Sequence, residues 1–209
     1  MRYLVPSLDE QERHTAEIDV EKSRFLAWLC HAPTPAAFEN LLLAARAAHP
    51  NASHHCSAFI AGPPGEQNLI GFSDDGEPGG TAGRPMFQVL EGSGIGQVGC
   101  VVIRYFGGTK LGTGGLARAY AQAVAKGLEA LPTHEVVERD AYLLQVDFSA
   151  EAEVRNWLHE NDIAILDVEY AARGAALTIG WPRDQALDLS PLENRLKQTV
   201  ECRRLPPQT

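Results

Sequence analysis

Three carboxylates fall within four positions of this 209-residue chain: Asp74, Asp75 and Glu77. Carboxylates that close could hold a hard cation such as Mg²⁺ through oxygen ligands. They could also do acid–base work if burial raised one pKa. Gly76 and Pro78 equally suit a turn whose Asp side chains bond their own backbone. Arg104 ends an apolar run, where a charge must find a partner. Either it pairs with Asp74, Asp75 or Glu77 as a structural bridge, or it grips a phosphate in a bidentate fashion. His54, His55 and Cys56 invite a zinc or thiolate reading. Consecutive residues entering a strand point to opposite faces, however, so the two histidines do not easily share a metal, and no second ligand cluster stands at structural-zinc spacing. No catalytic residue and no metal site are assigned from these types.

Glycine is the other chemical signal. Fourteen of the nineteen glycines lie between positions 71 and 115, a density expected where φ is positive or where something approaches the main chain closely. They form two blocks, Ser73–Met86 and Arg104–Leu116. The second leaves a strand and enters a helix, a junction whose free amides and dipole favour an anion by about 0.3–1 kcal/mol from the dipole alone. The anion-binding candidates are Arg84, Arg104, Gly107, Gly108, Lys110, Gly112, Gly114 and Gly115, with Lys22 and Arg24 as outlying cations. The plain alternative is a connection that needs flexible residues. Nucleotide motifs fit poorly: no Gly-Lys-Ser/Thr occurs, and Gly94-Ile95-Gly96-Gln97-Val98-Gly99 precedes a strand. Gly112-Thr113-Gly114-Gly115-Leu116-Ala117 does precede a helix, but its loop is too long and no ribose-binding acid follows.

The elements that must position these residues show in the periodicity. Alternation predicts strands over 15–20 and 24–31, joined at Glu21-Lys22-Ser23, and a second pair over 56–61 and 69–72. Thr34 and Pro35 open a helix with Phe38, Leu41, Leu42 and Ala45 as its inner stripe, closed by Pro50. A short helix is expected over 85–90 and a long one over 115–130. Val98–Phe106 is apolar on both faces and reads as a central strand. Beyond a hinge at Leu131-Pro132-Thr133, a strand over 142–148 is followed by a helix capped by Ser149. A hairpin turning at Arg173-Gly174 and a last helix over 184–199, broken near Ser190, complete a β-α-β-β-α order that suggests a ferredoxin-like sandwich. The ends, 1–8 and 205–209, read as loose. The domains expected are 1–133 and 134–209.

Bulk properties narrow the classes. The composition, 44% hydrophobic and 22% charged, is that of a folded protein. No stretch is long and apolar enough for a membrane helix, and no secretory signal is evident. Four scattered cysteines read as free thiols in a reducing cytoplasm. The net charge of -9 argues against indiscriminate coating of nucleic acid. Between Gly80 and Ala130, though, Arg84, Arg104, Lys110, Arg118 and Lys126 face only Glu91 and Glu129. A polyanion would meet the chain there.

The stretches Glu21–Phe25, His54–Cys56, Ser73–Met86 and Val101–Gly115, in this order, resemble the IMPACT family in its bacterial form. The resemblance implies an α/β (α+β) fold: an N-terminal ribosomal-protein-S5-domain-2-like domain, then a ferredoxin-like α/β sandwich similar to an elongation-factor module. Eukaryotic members regulate translation and carry an extra RWD module that is absent here. The resemblance implies a non-enzymatic, translation-linked module contacting RNA or the ribosome, without a cofactor. The alternative is an enzyme or sensor for a small phosphorylated ligand, using the acidic block, with Mg²⁺ if any ion, and the Gly107–Gly115 loop. A protein partner on the ferredoxin-like sheet is a third option.

Overall fold

A computed structural model describes residues 1–206; Pro207–Thr209, the last part of the tail read as loose, lie outside the described residues. Contacts divide the chain into two compact units, one over Tyr3–Val136 and one over Val137 onward together with Met1–Arg2.

The first unit is built on a five-stranded sheet. Its strands are β2 (His14–Val20), β3 (Ser23–His31), β4 (His54–Ile60), β5 (Ile70–Ser73) and β6 (Val98–Tyr105), ordered β2-β3-β6-β4-β5. Every neighbouring pair is antiparallel. β6 is the middle strand and is buried from Val98 through Arg104, as its two apolar faces require. Helix α1 (Pro35–Ala48) supplies Phe38, Leu41 and Ala45 to one face, against Trp28, Val101 and Ile103. Thr34 caps α1 by accepting from the Ala37 amide at 3.2 Å. Helices α2 (Gly83–Gly92) and α3 (Gly112–Glu129) cover the other face, where Met86, Leu90, Leu116, Tyr120 and Val124 meet Phe25, Cys56, Cys100 and Val102. Burying large apolar side chains on both faces, at about 1.5–3 kcal/mol each, makes this sheet a rigid platform.

The N-terminal segment is not loose. Arg2–Pro6 forms β1 and pairs with β7 (Thr133–Val137), which starts at the last residue of the hinge read at Leu131-Pro132-Thr133. Val5 is buried, and the Leu4 carbonyl accepts from the Gly96 amide. Five residues give too short an alternation to register against Pro6 and Pro132.

The second unit runs β8 (Arg139–Asp147), α4 (Glu151–Glu160), β9 (Ala164–Tyr170), β10 (Gly174–Pro182), α5 (Ser190–Leu196) and β11 (Glu201–Arg204). Its sheet order, β11-β8-β10-β9, is the ferredoxin-like order, completed by an edge strand that the periodicity did not show. The Leu205 amide donates to the Ala141 carbonyl, so the chain is held to that point. Two helix expectations change. Ser149 does not cap α4, which starts after Ala150 without a side-chain cap. The last helix is confined to Ser190–Leu196, because Pro191 lacks an amide and is tolerated only in a first turn. A bulge between Thr178 and Ile179 shifts the β9–β10 register and leaves Leu166 exposed. No described helix is long and apolar enough to cross a membrane.

Candidate functional site

The two glycine-rich blocks each lead into the N-terminus of a helix on the same face of the first unit's sheet. In the first block the acids are consumed by the fold. The Asp74 carboxylate accepts from the amides of Gly80, Ala82 and Gly83 at 2.8, 2.9 and 2.8 Å, so it caps α2 from nine residues upstream. Desolvation pushes its pKa up, but these three donors together hold it below the usual Asp value. The close approach requires glycine at 83, where a Cβ would lie 2.7 Å from the Ser73 backbone. Asp75, at a φ of 44°, accepts from Arg46 and from the His55 amide, both at 2.6 Å. Burial raises its pKa, and the His55 amide and Arg46 bring it below normal. Glu77, 8% exposed, accepts from Arg104 at 2.6 Å and from the Tyr120 hydroxyl at 2.7 Å.

The turn reading of this block therefore describes it better than a cation cage or a general base. Among the described residues no three His, Cys, Asp or Glu side chains gather as metal ligands. His54 and His55 point apart. The first contacts the Asp75 carbonyl at 2.9 Å; the second is buried against the His49 carbonyl at 3.1 Å. Desolvation, then the charge of Arg46, lower the His55 pKa below the usual imidazole value. Cys56 donates to the Asp74 carbonyl, and burial pushes its thiol up to about 12, away from thiolate chemistry. All four cysteines are free thiols.

Arg104 sits where its strand position requires, 5% exposed on the α2–α3 face. Besides Glu77 it reaches the Ser23 hydroxyl at 3.4 Å, and its guanidinium carbon lies 5.5 Å from the ring centroids of Phe25 and Phe106. Its Nε has no hydrogen-bond partner among the described residues. The side chain is thus a structural bridge with one donor left over, which is the costly state for a buried polar atom.

The second block is arranged differently. Gly107 follows β6, and its amide donates to the Ser23 hydroxyl at 3.2 Å. The β2–β3 turn at Glu21-Lys22, with both φ values positive, packs directly on this glycine. α3 begins at Gly112, three residues earlier than the periodicity implied, so Gly112, Gly114 and Gly115 form its first turn rather than a loop. Leu111 precedes it and no side chain caps it. Among the described residues, the amides of Gly112, Thr113 and Gly114 meet no protein acceptor outside the helix. Gly112 and Thr113 also line a hollow of about 380 Å³ together with Arg104, Glu77, Phe106 and Lys110, with Pro78, Leu111 and Leu116 as apolar walls.

The candidate cations separate into three groups. Lys110 lines the hollow and Arg104 forms its buried side. Lys22 sits on the turn that rests against Gly107. Arg84 is exposed at the start of α2 and is not among the residues that line the hollow. Arg24 is taken by Glu17, which grips it with both oxygens. Arg118, counted in the basic stretch but not among the anion-binding candidates, folds its guanidinium back along α3 to 3.5 Å from where a Cβ of Gly114 would stand. The i, i+4 spacing from Gly114 was the available signal. Gly108 needs no close approach; its φ of 86° only turns the chain.

The comparisons with known proteins fall on this region. The Impact N-terminal domain model matches residues 21–128, which include both blocks, and a domain of unknown function, DUF1949, matches 144–190. IMPACT family member YigZ of Escherichia coli is 42% identical over 74% of this chain and 76% of its own. An IMPACT family member of Haemophilus influenzae is 39% identical over 81% of both chains. A crystal structure described as a hypothetical protein superposes with a TM-score of 0.67 at 34% identity, over 99% of this chain and 98% of that one. Motifs, fold and relatives agree, and the chain belongs to the IMPACT family.

Proposed function

We propose that this chain is a non-enzymatic, translation-linked regulator that works in the cytoplasm and meets RNA or the ribosome through the open end of α3. One observation carries the reading: the N-terminus of α3, which no side chain among the described residues caps, borders a hollow lined by Lys110. Backbone amides, helix dipole and Lys110 together suit a phosphate. Charge distribution supports the same surface. Lys22, Lys110 and Arg118 have no acidic partner among the described residues, whereas Arg24, Arg46 and Arg104 of the same unit are paired with acids.

Co-sedimentation of the full chain with ribosomes across a salt series tests this. Association at low salt that weakens steeply as salt rises is expected, because phosphate contacts release counterions. The double variant Lys110→Ala, Arg118→Ala should sediment less at each salt concentration. Absence of association at low salt overturns the reading. Arg104→Ala is unsuitable, since it leaves Glu77 buried without its partner.

The size of the hollow favours a second reading, a small phosphorylated ligand, because ligand sites start at about 300 Å³. With both oxygens of Asp74 and Asp75 and Oε1 of Glu77 engaged by protein donors, that reading rests on the hollow rather than on metal or base chemistry. A thermal-shift screen of nucleotides with and without Mg²⁺ separates the two, since a ligand selective for the native state raises the melting temperature.

A further inference from the structure

We infer that the hollow at the start of α3 recognises one unpaired nucleotide, its phosphate on the amides of Gly112–Gly114 and its base stacked on Phe106. This rests on the anion-binding reading above and adds the chemical class of the unit bound.

Charge comes first. Arg104 and Glu77 neutralise each other at 2.6 Å, so the net positive contribution beside the hollow comes from Lys110 and the helix terminus. That matches a single phosphate group and falls short of a di- or triphosphate without further cations.

The walls come second. Phe106 is 50% exposed although it directly follows a buried strand, and its amide is fixed by the Ser53 hydroxyl at 3.1 Å. Arg104 lies 5.5 Å from its ring centroid, a cation that holds the ring in place. A half-exposed, positioned aromatic beside a phosphate site is the arrangement that stacks an unstacked base. A duplex keeps its bases stacked on each other and offers none to this ring. Pro78, Leu111 and Leu116 add apolar surface on the remaining sides.

The test is fluorescence anisotropy on the full chain with labelled oligoadenylate, the same strand annealed to oligouridylate, and adenosine monophosphate as competitor. The single strand should bind more tightly than the duplex. Phe106→Ala should weaken single-strand binding roughly tenfold, within the range measured for loss of one stacked base, and leave duplex binding unchanged. Phe106→Trp should restore it, which a purely structural role for the ring would not do. Competition by the monophosphate at matching affinity would place the source in free nucleotides, and its failure would place it in an RNA strand; both retain the nucleotide assignment. Equal binding of single strand and duplex, insensitive to Phe106→Ala but reduced by Lys110→Ala, overturns the stacking assignment and leaves the anion surface standing. Binding of neither RNA overturns both.

Discussion

The N-termini of α2 and α3 present the same sequence signature, glycines and a few charges ahead of a helix, in opposite electrostatic states. At α2 a carboxylate of the chain itself, Asp74, occupies the amides. At α3 no side chain does so, and the space in front is open. Each exposed terminus must satisfy its orphan donors somehow. The acid in the first block is thus a built-in anion, whereas in the second block no side chain among the described residues takes the equivalent place. Glycine density alone marked both regions equally; the distribution of acids distinguished them.

The largest expected effect tests the link between the two regions. Glu77 belongs to the first block but binds Arg104 of the second, so Glu77→Ala leaves a buried guanidinium uncompensated. A loss of about 3–5 kcal/mol is expected for a broken buried pair, read as a lower urea midpoint. A change below about 1 kcal/mol would mean that water already screens the pair.

Removing the built-in anion should have a smaller effect. Asp74→Ala is expected to destabilise by about 0.5–2 kcal/mol, as for other helix caps, measured by denaturant unfolding. It also changes the acid limb. The pKa values of Asp74 and Asp75 are lower in the fold than in the unfolded chain. Their stabilisation is therefore full above the unfolded value of about 3.9 and is lost as pH falls through the folded values. Stability measured below pH ~4 should fall less steeply in Asp74→Ala than in the wild type.

The smallest effect on stability sharpens the comparison most. Thr113→Glu places a carboxylate in the first turn of α3 and makes it resemble α2. It should gain about 0.3–1 kcal/mol from the dipole while abolishing oligonucleotide binding. A variant that is no less stable yet does not bind would show that the uncapped amides of α3 serve binding rather than the fold. Unchanged binding would remove the amides from the site.

Much of this was legible in the residues. The Thr34 cap, the central position of 98–105 and the face carrying Arg104 followed from spacing, because burial on two faces imposes strict alternation. The edge pieces were not legible. β1, β7 and β11 are four or five residues long, and their partners lie far away in sequence. The site was half legible. The helix was expected from Gly115 because glycine propensity opposes helix at 112–114, yet α3 begins at Gly112, held by the packing of Leu116, Ala119, Tyr120 and Ala123. The identity of Arg104's partner among three acids, and the upstream cap of α2, depend on chain reversal that no local pattern encodes.

Gly107 binds two parts of the first unit into one piece. A methyl group added to it would stand 1.9 Å from the Lys22 carbonyl oxygen, inside the volume that oxygen already fills. The hairpin tip and the segment carrying Phe106 and Lys110 are therefore in atomic register, with no slack for a larger residue. Any lengthening of the hairpin would be transmitted to the aromatic ring and the lysine within a few ångströms. Even Gly107→Ala would force backbone on one side of this contact to move, so it should loosen the unit and displace the ring and the lysine together.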